Sequence, residues 1–263
     1  MRPVRLGAVG YLNARPLTWT LDRSPERWQI RYDVPSVCAA LLHNGETDLG
    51  LVPSIEYLNG DDYRFVPDVG ICSRGAVASV ALYTRVPVNR IRRVALDTSS
   101  RTSVALLKVL CHHRFRISPE FISHGPELDA MTRHCDAGLL IGDPALEANH
   151  QALGLSKIDM GEEWHALTGL PFVYAAWTGK PGAIDEEGIQ ALKAAQEEGR
   201  RATDAIAAEY GRGDASVTQR AAVYLRDNVR YGLGRDEAAG LQMFLDYAAD
   251  LGLAARKRKL EFF

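Results

Sequence analysis

The 263-residue sequence predicts an α/β fold built as a two-lobe clamshell, and three observations predict it. Apolar runs of strand length alternate with helical patterns from Val4 to Trp177. A polar, proline-interrupted stretch, Arg85-Val86-Pro87-Val88-Asn89-Arg90, separates two such runs. After Lys180 the pattern is helical only.

In chain order, the first run holds strand patterns over Val4–Val9, Ile30–Asp33, Leu49–Val52 and Val77–Tyr83, with a helix about Val37–Asn44 and another from Ser54. The second run opens on Val94-Ala95-Leu96, followed by a helix about Ser103–His113 and a short strand near Phe121. A helix about Glu127–His134 and the strand Ala137–Ile141 come next, then Gly169-Leu170-Pro171 and the strand Phe172–Trp177. Amphipathic spacing predicts the last helices over Glu186–Tyr210, Ser216–Asp227 and Asp236–Leu251. This alternation predicts largely parallel sheets, with crossings between lobes near residues 85–90 and 172–178. The first lobe is then discontinuous, 1–85 and 176–263, with the C-terminal helical segment packed on it, and the second is 86–175. Ligands of open parallel sheets sit beyond the carboxyl ends of the strands, so the strand ends of both lobes should face one cleft.

Composition narrows the function. Hydrophobic residues make up 46% of the chain and charged residues 24%, which is ordinary for a globular protein. The formal net charge of -2, from 31 basic and 33 acidic residues, provides no global positive field. A nucleic-acid partner or an anionic membrane surface is therefore disfavoured. From Met1 the chain runs straight into a strand-like pattern, without an apolar core and small-residue cleavage site, so a cytoplasmic protein is expected. Cys38, Cys72, Cys111 and Cys135 are widely separated and lack the paired spacing of zinc sites or redox motifs. They read as reduced, packed thiols, and no metal is expected.

Five segments carry candidate chemistry. Gly10-Tyr11-Leu12-Asn13-Ala14-Arg15-Pro16 follows the first strand, where Asn13 is either a helix N-cap or an amide facing the cleft. In Val52-Pro53-Ser54-Ile55-Glu56 a buried strand meets a helix start, so Ser54 can cap it and the free amides of that turn can hold an anion. Ser79 is a lone hydroxyl in the small-residue strand Gly75–Ala81, with no nucleophile elbow around it. It is either a tolerated strand serine or a cleft residue. Asp97-Thr98-Ser99-Ser100-Arg101-Thr102-Ser103 places five hydroxyls and a guanidinium at a strand-to-helix turn. Ser100, Arg101, Thr102 and Ser103 there suit a carboxylate, because the glycines and Lys-Ser/Thr pair of a phosphate loop are absent. Last, Leu140-Ile141-Gly142-Asp143 delivers Asp143 to the same rim, as a helix cap or as a hydrogen-bond partner across the cleft.

These segments, with Asp48-Leu49-Gly50-Leu51-Val52-Pro53 and Trp164-His165-Ala166-Leu167-Thr168-Gly169-Leu170-Pro171-Phe172-Val173, resemble the chorismate dehydratase family of the futalosine route to menaquinone. They span roughly the first two thirds of the chain; the helical tail carries no such resemblance. The resemblance implies a type II periplasmic-binding-protein fold. It also implies a cofactor-independent hydro-lyase that removes water from chorismate to give 3-[(1-carboxyvinyl)oxy]benzoate. An Asn after the first strand and a Ser before the lobe crossing are functional in that family, and they match Asn13 and Ser79. Ser54, Ser100, Arg101, Thr102, Ser103 and Asp143 are then expected to bind substrate. The alternative expectation is a non-catalytic binder of small carboxylates on the same fold.

Overall fold

The computed structural model describes residues 2–254 and 256–263. Eleven strands are found in chain order among them. They are β1 (Val4–Val9), β2 (Trp28–Asp33), β3 (Leu49–Pro53), β4 (Arg64–Ser73), β5 (Val80–Thr84), β6 (Arg93–Asp97), β7 (Glu120–His124), β8 (Ala137–Ile141), β9 (Ser156–Asp159), β10 (Phe172–Gly179) and β11 (Arg230–Tyr231). Two sheets result, one ordered β11-β4-β10-β3-β1-β2 and the other β7-β6-β8-β5-β9.

Each sheet is parallel on one side and antiparallel on the other, which corrects the expectation of largely parallel sheets. β1 runs parallel to β2 and β3, and β6 runs parallel to β7 and β8. β10 is antiparallel to both β3 and β4, and β5 is antiparallel to both β8 and β9. Every residue of β5 and of β10 is buried. Such strands are apolar on both faces whichever way they run, so their direction left no trace in the pattern.

The crossings also lie elsewhere than expected. β4 ends in the first sheet at Ser73 and β5 begins in the second at Val80, so the chain changes sheets over residues 74–79. The proline-interrupted turn at 85–90 joins β5 to β6 inside the second sheet. The return runs between the helix Met160–Thr168 and β10, at residues 169–171. Polarity marked the 85–90 stretch as a connection, and a connection within a lobe looks the same.

The C-terminal helices support the first sheet. Asp185 accepts the N–H of Gly188 and starts the helix Glu186–Arg201, which presses on the short helix Arg15–Thr18. The approach is close enough that a Cβ at Gly199 would lie 1.9 Å from the Pro16 carbonyl oxygen, so only glycine fits. The expected single helix over 186–210 breaks at Ala202 into two pieces, Glu186–Arg201 and Thr203–Gly211. Between the lobes, Trp164, Phe172 and Phe244 pack edge to face, with ring centroids 4.8 to 6.2 Å apart, and fix the return crossing against the last long helix, Arg235–Asp250.

Candidate active site

The carboxyl ends of β1, β3, β6 and β8 converge on one cleft between the sheets, and a cavity of about 60 Å³ lies there. Val9, Tyr11 and Asn13 line it from the first lobe, and Ser100, Thr102, Ser103 and Gly142 from the second. This is the strand-end placement expected of an α/β fold. A larger hollow of about 700 Å³ lies on the first lobe among Arg74, Arg200, Arg226 and Arg230. It contains none of the candidate residues, and Arg74, Arg200 and Arg226 are already paired with Asp236, Glu197 and Asp204. The narrow cleft is the better site because the strand ends and the polar groups meet there.

Asn13 is half-buried in a turn of 3-10 helix, with no capping bond from Tyr11 before it, and its backbone carbonyl accepts the Tyr231 hydroxyl at 2.8 Å. Its side chain lines the cavity, beside the Tyr224 hydroxyl. Ser79 lies in a bend just before β5 and is 1% exposed. Its Oγ accepts a hydrogen bond from Tyr224 at 2.7 Å, and its carbonyl accepts the N–H of Gly142 at 2.8 Å. Burial raises the Tyr224 phenol, while hydrogen bonds with Ser79 and Asn13 offset part of that rise. Tyr224 belongs to the helical tail, whose pattern marked only an apolar face; no signal in spacing singled it out.

The helix Thr102–Leu110 begins at the cavity wall, and its first intrahelical bond runs from Ala105 N–H to the Arg101 carbonyl. The earlier amides of that turn have no intrahelical partner, which is the arrangement that attracts carboxylates. Asp97 Oδ1 braces the loop before it by accepting from Ser99 N at 2.8 Å and Ser99 Oγ at 2.6 Å. Ser100, Thr102 and Ser103 face the cavity, whereas Arg101 does not line it. The Arg101 guanidinium crosses to the first lobe and donates to Glu56 at 3.1 Å.

Ser54 is also turned away from a ligand role. Its hydroxyl donates to the Val173 carbonyl at 2.7 Å, and the N–H of Ile55 is taken by Thr102 Oγ1 at 3.1 Å. The two helix starts expected to hold separate anions therefore dock on each other, one from each lobe. Which groups the lobes spend on one another depends on how they meet, and single-segment reasoning carries no information on that.

Asp143 makes the cross-cleft contact that its position allowed, accepting the backbone N–H of Leu12 at 2.9 Å. Burial raises its carboxyl to about 6, and the Leu12 bond offsets part of that rise. Beside it, Gly142 has φ +60°, and a Cβ there would lie 2.5 Å from the Tyr11 ring. The glycine lets the second lobe close against that ring.

Comparisons with known proteins agree with this geometry. The sequence profile of a family described as menaquinone biosynthesis matches residues 4–250. A chorismate dehydratase of Thermus thermophilus is 31% identical, over 94% of this chain and 95% of the relative. One of Campylobacter jejuni is 29% identical, over 65% of this chain and 66% of that one. Among solved structures, a protein of Archaeoglobus fulgidus superposes with a TM-score of 0.74 at 18% identity, covering 96% of this chain and 98% of its own. The periplasmic aliphatic sulphonate binding protein of Escherichia coli does so with a TM-score of 0.67 at 19% identity, covering 100% and 95%. The fold expected from the sequence, a periplasmic-binding-protein clamshell, is the fold these structures share.

Proposed function

The chain belongs to the menaquinone-biosynthesis family, and on that premise we infer that it is a chorismate dehydratase, a hydro-lyase that removes water from chorismate to give 3-[(1-carboxyvinyl)oxy]benzoate. The observation that carries the reading is the union of that membership with a cleft in which Asn13 of one lobe faces Ser100, Thr102 and Ser103 of the other.

Chorismate carries two carboxylates. One belongs at the start of the helix Thr102–Leu110, where unpaired amides and the Ser100, Thr102 and Ser103 hydroxyls supply donors. The other, on the enolpyruvyl arm, belongs near Asn13 and Ser79. In the reaction a ring C–H bond breaks, its electron pair completes the aromatic ring, and the neighbouring C–O bond breaks to release hydroxide, which leaves as water on taking a proton. The enolpyruvyl carboxylate takes the ring proton in this reading. Asn13 orients that carboxylate, and Ser79 supports departure of the hydroxyl. Aromatisation makes the step downhill, so orientation and charge stabilisation suffice. Arg101 and Asp143 act here by holding the lobes in register around the substrate, and the Ser54 hydroxyl, 3.4 Å from Thr102 Oγ1, joins them at the same seam.

The reading takes the enzyme as cytoplasmic, with chorismate as its partner and without nucleic acid. Its support is chemical: all four cysteines are free and buried, as suits a reducing compartment, and no helix among the described residues is long and apolar enough to cross a membrane. Incubating the purified protein with chorismate and following the loss of one water by mass spectrometry tests the assignment. Turnover that persists after exhaustive chelation is expected. Bound but unchanged chorismate would instead identify a carboxylate binder.

A further inference from the structure

We propose that Tyr224 is a positioning residue for the dehydration: it fixes the direction in which the Ser79 hydroxyl gives its proton. The proposal rests on the dehydratase reading above.

The segment 76–79 has an unusual backbone. Ala78 has φ +65°, a left-handed conformation costly for a residue with a Cβ, and the N–H of Ser79 turns back to the Val77 carbonyl at 2.8 Å. Such a turn persists only where its surroundings over-determine it, and here they do. Asp159 Oδ2 accepts the N–H of Ala78 at 2.7 Å, and Oδ1 accepts that of Val77 at 3.0 Å. Lys157 Nζ donates to the Ala78 carbonyl at 2.6 Å, and Asn228 Nδ2 donates to that of Ala76 at 3.1 Å. A crossing that served only as a tether between sheets would not need so many of its polar groups clamped.

Tyr224 and Asn228 are the first and last residues of one π-helical turn, Tyr224–Asn228, closed by Val229 N–H on the Tyr224 carbonyl at 3.2 Å. That wide turn brings both side chains onto the crossing. Tyr224 spends its one hydroxyl proton on Ser79 Oγ. Ser79 cannot then direct its own proton at Tyr224, and among the described residues its hydroxyl has no other hydrogen-bond partner. Ser79 is 1% exposed and does not itself line the closed cavity, but Val80 after it and Gly142, which its carbonyl holds, both do, so its proton is left for a group that enters when the cleft opens. Tyr224 does not line the cavity, so it acts through the groups its hydroxyl meets, Ser79 first and Asn13 beside it.

The test is a comparison of wild type, Tyr224→Phe, Ser79→Ala and the double variant, with chorismate turnover followed by mass spectrometry and folding by thermal unfolding. Losing one oriented hydrogen bond should lower kcat about tenfold, with KM and the unfolding midpoint nearly unchanged. In the Ser79→Ala background the same change should cost much less, only what the contact of Tyr224 with Asn13 contributes, because the main group it orients is gone. Where Ser79→Ala leaves no measurable turnover, the fall in kcat at constant KM and unfolding midpoint decides alone. Full activity of Tyr224→Phe, a fall that tracks its unfolding midpoint, or an equal loss in both backgrounds would overturn the proposal. Full activity of Ser79→Ala would instead overturn the role given to Ser79, and wild-type protein that leaves chorismate unchanged would overturn the dehydratase reading itself.

Discussion

Arg101 and Glu56 meet from opposite lobes, the guanidinium Nη1 3.1 Å from a carboxylate oxygen, with the Arg101 side chain 43% exposed and that of Glu56 fully buried. A buried carboxylate needs its partners, and Glu56 has two more: His43 Nε2 at 2.6 Å and Asn59 Nδ2 at 3.3 Å. The arginine expected on the substrate is thus the visible end of a network that joins the lobes. Arg101→Ala should cost about 1 to 2 kcal/mol of stability, read by urea unfolding, with a smaller effect on product affinity read by calorimetry. A large fall in affinity at unchanged stability would return Arg101 to the substrate.

Asn13→Ala and Ser79→Ala should each lower kcat by about a hundredfold or more while leaving the unfolding midpoint near that of wild type. Neither side chain holds the apolar core: Asn13 faces the cavity, and Ser79 is bonded through its Oγ to Tyr224 alone among the described residues. Steady-state kinetics beside thermal unfolding checks this. Wild-type kcat in both variants contradicts the site.

Asp143 sets a pH dependence whose sign follows from burial. Its carboxyl is raised to about 6 in the folded chain, against about 3.9 when unfolded. Between those values the folded state binds more protons, so this group's contribution to stability falls as pH rises from about 4 to about 6 and is level above that. Asp143→Asn removes the titration. Unfolding free energies of both proteins across that range should therefore differ by an amount that shifts in favour of the variant as pH rises; a constant difference would show that Asp143 does not titrate there.

The cavity of about 60 Å³ is far smaller than the roughly 300 Å³ at which ligand pockets begin. Leu12 with Asp143, Ile55 with Thr102, and Glu56 with Arg101 hold the two lobes together around it. Substrate admission requires these bonds to part, as in hinge closure generally. Small-angle scattering should give a larger radius of gyration for the ligand-free protein than for the product complex. Identical curves at saturating product would show a cleft that does not open.

Much of this was legible in the sequence, and the failures have physical causes. Strands Val4–Val9 and Ala137–Ile141 were marked to the residue, because their flanks change polarity sharply. The ten-residue strand Arg64–Ser73 left no pattern. Its pairing with β10 shifts register between Phe65 and Gly70, at a bulge that holds Pro67 and Asp68, with Asp68 at φ +63°. Proline and a left-handed residue read as a loop. Asn13, Ser100, Thr102 and Ser103 line the cavity as their places at strand ends predict. The partners of Ser54 and Arg101 were not legible, since Val173 lies 119 residues from Ser54 on the neighbouring strand β10 and Glu56 lies 45 residues from Arg101 in the other lobe.

The π-helical turn at Tyr224 places the last part of the site far along the chain from the first. Asn13 and Ser79 leave the ribosome well before Tyr224 is made, and proteins fold from the N-terminus as they emerge. All strands of both sheets except β11 can pair while the crossing still lacks its tyrosine and asparagine clamps. A nascent chain can thus pair most of its strands before these clamps exist, and a nonsense codon that spares every strand up to β10 still removes them.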